Sequence, residues 1–293
     1  MKLDKLKINT IRDTNLNKVL NYCGEEYNVV PEMVEYVGPF KKWEGITLFT
    51  DECFDTQSLY IIDEIDSTTK IGWFMEPRML HGKGGCMDLR YINAENNMYK
   101  LDYFFTYDHI LLKKFPNKAI YVVDNAIYLP LDKIQLYNKT KLMSMIYSWK
   151  SWTPGHRLRH QLAGLIEGLE LFGTGAKTPL KSKDEGLADF QYSIVIENTY
   201  NPMYFTEKIL DCFATGTIPI YWGCPNIGDF FNDKGIISFE KVEDLEEIFK
   251  KLEDPEYYNK LLPYVKENYE TVQQYRVYED WMYNNVYKKI LNK

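Results

Sequence analysis

The sequence predicts an α/β fold in two unequal halves, and three observations support this prediction. Residues 192–223 read as a strand, a polar loop, a helix and a second strand, which together form one βαβ unit. From about residue 141 onwards strands and helices alternate, which is typical of a parallel sheet covered by helices on both faces. The preceding part is richer in short apolar runs, and a chain of 293 residues has room for two cores.

The N-terminal half is predicted to be rich in strands. Weaker helical patterns lie near 15–22 and 108–114, and polar segments with glycines, such as 81–85, separate some of the apolar runs. Residues 129–140, which include Pro130 and mixed polar side chains, form the predicted linker. The apolar runs lie near 46–50, 59–62, 71–75, 103–106 and 119–123.

The C-terminal half shows regular alternation. Strands are predicted at 142–147 and 236–239, and helices at 157–171 and 242–252, on either side of the βαβ unit. The chain ends in an amphipathic pattern, which we interpret as a helix that packs across the two halves.

The predicted domain boundaries follow from these patterns. They divide the chain into an N-terminal domain, 1–138, a C-terminal domain, 139–270, and a final helical segment, 271–293.

Polar residues of the βαβ unit lie where open α/β sheets bind ligands. Asn198 ends the first strand, Thr206 is a predicted N-cap, and Glu207 and Lys208 occupy the first helical turn. One interpretation is that Glu207 complements the helix dipole and Lys208 is a solvated surface charge. The other is that the helix N-terminus and Lys208 bind a diphosphate while Glu207 accepts hydrogen bonds from a sugar.

Composition excludes several classes of protein. The net charge is −7 and the pI about 5.3, so the chain lacks the clustered cations that nucleic acid or anionic lipid requires. The five cysteines form no Cys-x-x-Cys pair, as expected of buried thiols in a reducing compartment. No apolar stretch reaches the roughly 18–20 residues of a membrane span, and the N-terminus has no signal sequence. We therefore expect a cytoplasmic protein with no transmembrane segment and no nucleic-acid partner.

Metal and phosphate-loop motifs are incomplete. No Asp-x-Asp pair occurs, which argues against a transferase that holds its diphosphate through a metal ion. His156 and His160 lack the glutamate of a metalloprotease helix. Segment 173–178 resembles a phosphate loop, but Ala176 replaces the glycine that must precede the lysine. We expect no metal.

The βαβ unit carries a more specific signal. Its pattern is Glu-Asn, then Tyr204-x-Thr-Glu-Lys-Ile, then Gly-Thr-Ile-Pro-Ile-Tyr-Trp-Gly. This pattern resembles the donor-binding signature of the α1,3/1,4-fucosyltransferases, the family-10 glycosyltransferases. The strong part of the match covers about 190–239. The resemblance implies two Rossmann-like domains facing a cleft (the GT-B architecture), GDP-fucose as donor, and an oligosaccharide acceptor on the side of 1–138. The nucleotide sugar would bind to 139–270.

The resemblance also implies roles for particular residues. Lys208 would contact the donor diphosphate, and Glu207 would contact the fucose and support charge at its anomeric carbon. Asn198 and Tyr204 would line the nucleotide-sugar pocket. The family also uses an arginine near the start of the preceding helix. Arg157 and Arg159 are both candidates, and Arg159 is favoured because the apolar residues that follow it match the family spacing better.

The family's catalytic base is a glutamate that follows an apolar strand of the N-terminal domain, and the matching position is Glu76, within 71–78. From local sequence alone Glu76 is equally a turn residue before Pro77. The resemblance therefore implies an inverting, metal-independent fucosyltransferase, as a monomer or simple dimer. Two alternatives stay open: a transferase of the same fold with another nucleotide sugar, and a non-catalytic protein that binds sugar nucleotides or glycans.

Overall fold

The computed structural model describes residues 4–11, 31–82, 85–123 and 126–292, and it leaves the side chains of the short strands at 81–86 undescribed. The helical pattern predicted near 15–22 lies outside the described residues.

The chain divides into two compact units. Unit 1 comprises Met1–Asp124 together with Val277–Lys293, and unit 2 comprises Asn125–Arg276. The two units thus meet in sequence after residues 124 and 276, whereas the predicted boundaries follow residues 138 and 270. The predicted linker, 129–140, lies within unit 2. The predicted packing of 271–293 across both halves stays a prediction.

Unit 1 is built on a parallel sheet whose described strands follow the order β2-β1-β3-β4-β7-β8. A short antiparallel pair, β5 and β6, lies apart from this sheet. The strands are β1 Leu6–Ile11, β2 Val34–Val37, β3 Lys42–Thr50, β4 Asp66–Trp73, β5 His81–Gly82, β6 Gly85–Cys86, β7 Tyr103–Thr106 and β8 Ala119–Tyr121. The helices are α1 Tyr60–Glu64, α2 Met87–Asn97 and α3 His109–Lys114.

Four of the five predicted apolar runs lie wholly or mainly in strands of this sheet, and the helix predicted near 108–114 is α3. The run at 59–62 instead lies at the start of helix α1. Periodicity cannot distinguish a strand from one helical turn over so few residues. Buried aromatic rings fill the core, where Phe54, Phe74 and Phe104 pack edge to face with ring centroids 4.9–5.5 Å apart.

Unit 2 also has a parallel sheet, with its described strands in the order β10-β9-β11-β12-β13. Its buried apolar residues form one core cluster on these strands and the helices beside them. The strands are β9 Lys141–Ile146, β10 Glu170–Phe172, β11 Phe190–Ile196, β12 Ile218–Trp222 and β13 Ile237–Ser238. The helices are α4 Pro154–Leu165, α5 Glu207–Thr215, α6 Asp244–Leu252 and α7 Pro255–Val272.

The predicted βαβ unit is confirmed as β11, α5 and β12. Thr206 is the N-cap of α5, and Gly216 ends the helix in the left-handed conformation, with φ of 70°. The prediction of one helix over 157–171 is wrong in its second half, because α4 ends at Leu165 and 170–172 form strand β10. Gly168, with φ of 75°, lies at the turn between them.

The last part of the chain is helical in separate pieces. Helix α7 was not predicted, although Asp254 caps it and Pro255 opens it, which are recognised start signals. The predicted terminal helix forms α8 Tyr278–Met282, a π-helical turn at Tyr283–Tyr287, and α9 Lys288–Leu291, all in unit 1.

The strand order of unit 2 predicts where a ligand would bind. From β9 the chain moves to the edge strand β10 on one side, and it then returns to β11 on the other side of β9. Open α/β sheets bind ligands where the order reverses in this way, beyond the carboxyl ends of the two strands. The loops that lead from β9 to α4 and from β11 to α5 meet at this point.

Candidate functional site

Lys208 lies in the first turn of α5, next to the point of reversal. Its ammonium group donates a hydrogen bond to the Thr206 hydroxyl over 2.9 Å. The same nitrogen lies 3.5 Å from a Glu197 carboxylate oxygen and 3.2 Å from one of Glu207. Lys208 therefore lies between two carboxylates, and about a quarter of its side chain is exposed.

Glu197 is the residue that fixes the loop after β11. Its side chain is fully buried, and its two carboxylate oxygens accept hydrogen bonds from the backbone N–H and the hydroxyl of Thr206, at 2.9 and 2.7 Å. A buried carboxylate is tolerated because it is hydrogen-bonded and faces a cation. The ionic contact with Lys208 and the Thr206 bonds together hold the start of α5 against the end of β11.

Helix α4 approaches the same strand end through a glycine. Gly155 donates its backbone N–H to the Asn198 carbonyl over 3.1 Å. A Cβ at Gly155 would lie 1.7 Å from the Glu197 carbonyl oxygen, so no other residue fits without moving the helix. This approach brings Arg159, one turn further along α4, onto the end of β11.

Arg159 is buried, with 5% of its surface exposed. Its guanidinium donates two hydrogen bonds to the Ile196 carbonyl and one, of 3.2 Å, to the side-chain oxygen of Asn198. Burial lowers the pKa of Arg159, and the nearby Glu197, Tyr204 and Glu207 partly oppose that effect. The alternative candidate, Arg157, is exposed, and its guanidinium contacts the Ser151 carbonyl over 3.4 Å.

The structure thus brings the residues predicted to bind the donor into one region of unit 2. They are Arg159, Asn198, Tyr204, Glu207 and Lys208. Tyr204 is 1% exposed and lies close enough to Arg159 to oppose the lowering of its pKa. Their roles toward a ligand stay predictions.

Several cationic groups surround His156 at the start of α4. His156, the third residue of α4, completes a capping box with Thr153 and is 5% exposed. Burial lowers its pKa to about 4, and the charges of Arg159, Lys150, Lys208 and His160 add to that effect. Such surroundings favour an anion, and so do the N-termini of α4 and α5.

Glu207 extends the ionic contacts along α5. One of its carboxylate oxygens lies 3.4 Å from the Lys183 ammonium, which in turn pairs with Asp211 at 2.9 Å. We call Asp211, Lys183, Glu207, Lys208 and Glu197 the charge chain, because carboxylates and ammonium groups alternate along it.

The charge chain changes the ionisation of its members. Burial alone raises the pKa of Glu207, but the charges of Lys208 and Lys183 outweigh burial and hold that pKa well below its usual range. Asp211 is 1% exposed, and its burial raises its pKa to about 6 even though Lys183 opposes the shift. Glu207 is therefore ionised in the neutral pH range.

Glu76, the predicted base, belongs to unit 1 and follows the end of β4 by three residues. It is half-buried, and its backbone carbonyl accepts a hydrogen bond of 3.1 Å from the Tyr91 hydroxyl. Two residues further on, Arg78 pairs with Asp108 at 2.8 Å and Glu95 at 2.9 Å. These contacts hold the backbone around Glu76, and its catalytic role stays a prediction.

A cavity of about 390 Å³ opens at the carboxyl ends of β12 and β13. Tyr200, Gly223 and Glu240 are among the residues that line it, and the predicted site residues are not. Within the described ranges no group of three histidine, cysteine, aspartate or glutamate side chains is placed to hold a metal ion. The helices of these ranges include none long and apolar enough to cross a membrane.

Sequence reasoning missed three members of the charge chain. Glu197 could have been identified from the sequence, because it is a carboxylate at the end of a strand that was predicted to be buried. Lys183 and Asp211 offered none, since one lies in a polar loop and the other reads as a surface residue of α5.

Known proteins match both the sequence and the fold. The family model for the C-terminal part of glycosyltransferase family 10 (fucosyltransferase) matches residues 136–290. The chain is 37% identical over 68 residues to an α-(1,3)-fucosyltransferase, FucT, of Helicobacter pylori, covering 23% of this chain and 14% of that protein. It is 39% identical over 72 residues to α-(1,3)-fucosyltransferase B of Drosophila melanogaster, covering 23% and 16%. The matched segments span less than a fifth of these curated relatives.

Among solved structures, an α1,3-fucosyltransferase crystallised with GDP superposes with a TM-score of 0.56 and 15% identity, covering 94% of this chain and 91% of that one. The structure of TarM superposes with a TM-score of 0.52 and 12% identity, covering 84% and 54%. At such identities the similarity shows the fold alone. The fold class is α/β with two Rossmann-like units, the GT-B architecture, as the sequence predicted.

Proposed function

Because the chain belongs to glycosyltransferase family 10, the fucosyltransferases, we propose that it transfers L-fucose from GDP-fucose to a hydroxyl group of a glycan acceptor, with inversion at the anomeric carbon. The observation that carries the proposal is the convergence of Arg159, Lys208 and Glu207 at the point where the strand order of unit 2 reverses. The α1,3-fucosyltransferase of similar fold was solved with GDP, which supports the choice of nucleotide.

The donor diphosphate is proposed to bind at the N-terminus of α5. Lys208 contributes a flexible cation there, and Arg159 contributes a buried one that Asn198 orients. As the bond between the anomeric carbon and the GDP oxygen breaks, negative charge grows on the diphosphate. Fixed cations stabilise this charge more than they stabilise the ground state, which lowers the barrier.

Glu207 is proposed to face the sugar. Its ionised carboxylate accepts hydrogen bonds from fucose hydroxyls and stabilises the positive charge that develops at the anomeric carbon. Because the charges of Lys208 and Lys183 hold its pKa below the usual range, it keeps this charge throughout the neutral range.

Glu76 is proposed as the general base. It takes the proton of the acceptor hydroxyl, whose oxygen attacks the anomeric carbon while GDP leaves with the electron pair of the broken bond. The proposal rests on the position of Glu76 after β4 and on the resemblance to the family. We propose that no metal ion takes part, since cationic side chains and a helix end supply the positive charge.

The experiment is a thermal-shift screen with nucleotides and nucleotide sugars. GDP and GDP-fucose are expected to raise the melting temperature, because a ligand that binds the folded state stabilises it, and UDP sugars are expected to leave it unchanged. Release of GDP with a glycan acceptor present then tests transfer. A preference for a UDP sugar would favour the alternative of another donor, and binding without turnover would favour the non-catalytic protein.

A further inference from the structure

Lys183 is given no contact with the donor or the acceptor in the reaction proposed above, yet it is among the most closely held cations of unit 2. Its ammonium pairs with Asp211 at 2.9 Å and with Glu207 at 3.4 Å. It also lies 4.9 Å from the centre of the Tyr128 ring, at cation–π distance. Only 27% of the side chain is exposed.

Asp211 is the anchor of this arrangement. One carboxylate oxygen pairs with Lys183, and the other accepts the backbone N–H of Tyr128 over 2.7 Å. Asp211 and Glu207 are four residues apart on α5, so their side chains lie on the same face, where like charges repel. Lys183, from a loop before β11, lies between them and removes that repulsion.

The proposed contact of Lys208 with a diphosphate requires Lys183 as a second cation beside Glu207. Its ammonium group has three donors, and three acceptors surround it: the Thr206 hydroxyl and the carboxylates of Glu197 and Glu207. To contact a diphosphate, Lys208 must give up part of its interaction with a carboxylate. Glu207 then needs another cation, and Lys183 already contacts it.

We propose that Lys183 is a positioning residue for the donor site: it orients the ionised Glu207 carboxylate and stays paired with it, so that Lys208 is free to contact the diphosphate. Asp211 and the Tyr128 ring hold Lys183 in place. This inference rests on the proposed function, because it assigns Lys183 to the same reaction.

Other charged groups also face these side chains. Around Glu207 they are Lys208, Lys183, Asp211 and, from α4, Arg159. Next to Lys183 in the loop, Asp184 lies 3.7 Å from Lys133. Removal of Lys183 takes away one of the two cations that contact the Glu207 carboxylate, so Glu207 protonates at a higher pH.

The experiment compares kcat/KM at neutral pH for the wild type, Lys183→Met and Lys183→Arg. Lys183→Met is expected to lower kcat/KM about tenfold, because Lys208 then stays paired with Glu207 and contacts the diphosphate less. Lys183→Arg retains the charge and should restore most of the wild-type value. Lys181→Met removes an exposed lysine two residues away and serves as the matched control.

Folding is controlled with a double variant. Lys183→Met leaves Asp211 buried without its cation, whereas Lys183→Met with Asp211→Asn removes both charges and keeps an acceptor for the Tyr128 N–H. The double variant should show the same loss of kcat/KM. A wild-type value of kcat/KM in the double variant, or no rescue by Lys183→Arg, would overturn the proposal and leave Lys183 with a structural role.

A direct titration separates this inference from the proposed function. Carboxyl ¹³C NMR, with Glu207→Gln for assignment, follows the ionisation of Glu207 without any turnover. A higher pKa of Glu207 in the double variant than in Asp211→Asn alone supports the role of Lys183, even if the wild type transfers no fucose. Equal titration in the two variants contradicts that role, even if the wild type is active.

Discussion

The ends of two parallel strands, β11 in unit 2 and β4 in unit 1, are built in different ways. After β11 the polar residues Glu197, Thr206 and Lys208 belong to one segment, 197–208, and are joined by hydrogen bonds within that segment. After β4, the segment around Glu76 is held by hydrogen bonds to residues 15 to 30 positions away, among them Tyr91 and Asp108. A site made of consecutive residues is visible as a motif, whereas one assembled from distant residues is visible only in the fold.

The two strand ends are also expected to act on different steps. The residues after β11 are proposed to bind the donor and stabilise its leaving group, while Glu76 after β4 is proposed to move a proton. Substitutions after β4 should therefore lower turnover without changing the affinity for GDP, whereas substitutions after β11 should change both.

The largest effect is expected from Glu76→Gln. Removal of a general base lowers turnover by about 10²- to 10⁴-fold, and the affinity for GDP should stay unchanged because the base does not contact the nucleotide. Steady-state transfer rates and calorimetric titration with GDP measure the two quantities. Glu35→Gln, at an exposed glutamate of unit 1, is the control. Near-normal turnover in Glu76→Gln would exclude this residue as the base.

Lys208→Met is expected to affect both quantities. GDP should bind about 10- to 100-fold more weakly, since a hydrogen bond to a charged group contributes about 1.5–3 kcal/mol. Turnover should fall by about 10²- to 10³-fold, because the variant lacks the cation that stabilises negative charge on the leaving diphosphate. The same two assays apply, with Lys266→Met, at an exposed lysine of α7, as the control. Unchanged GDP affinity would contradict a diphosphate contact.

Gly155→Ala tests whether the approach of α4 to β11 holds Arg159 in place. A Cβ there would overlap the Glu197 carbonyl, so the helix must shift, at a cost of about 1–3 kcal/mol in unfolding free energy. We also expect weaker binding of GDP, because Arg159 moves with α4. Gly164→Ala, in the same helix, meets nothing within 4 Å and should stabilise the protein by about 0.5–1 kcal/mol. Urea denaturation compares the two variants, and equal stabilities would contradict the close approach.

The remaining prediction concerns the dependence of stability on pH. The pKa of His156 is lowered from 6.5 to about 4 in the folded state. The unfolded chain therefore binds more protons between these values, and stability is lost as pH falls from 6.5 towards 4, by up to about 3 kcal/mol. His156→Gln keeps a capping-box residue without the titration, so its stability should depend less on pH in this range. Parallel pH dependences of the two proteins, measured by urea denaturation, would contradict the shift.

Local sequence determined a large part of the donor half of the candidate site. The N-cap at Thr206, the left-handed glycine at Gly216 and the apolar pattern of β11 and β12 are properties of neighbouring residues, so the βαβ unit was predicted within about two residues at its ends. Where local signals conflicted, prediction failed. The apolar stripe of α4 continued past Leu165, and only the pairing of β10 with β9 shows that 170–172 leave the helix.

The tertiary structure decided which charges meet. Sequence spacing left Arg157 and Arg159 both open, and the close packing of Gly155 on the end of β11 directs Arg159 to Asn198 while Arg157 stays exposed. Lys183 precedes β11 and Glu207 follows it, 24 residues later, and only the fold brings their charged groups to 3.4 Å. Helix caps and strand periodicity depend on neighbours in the chain, whereas ionic contacts between loops depend on the order of the strands, and no local pattern records that order.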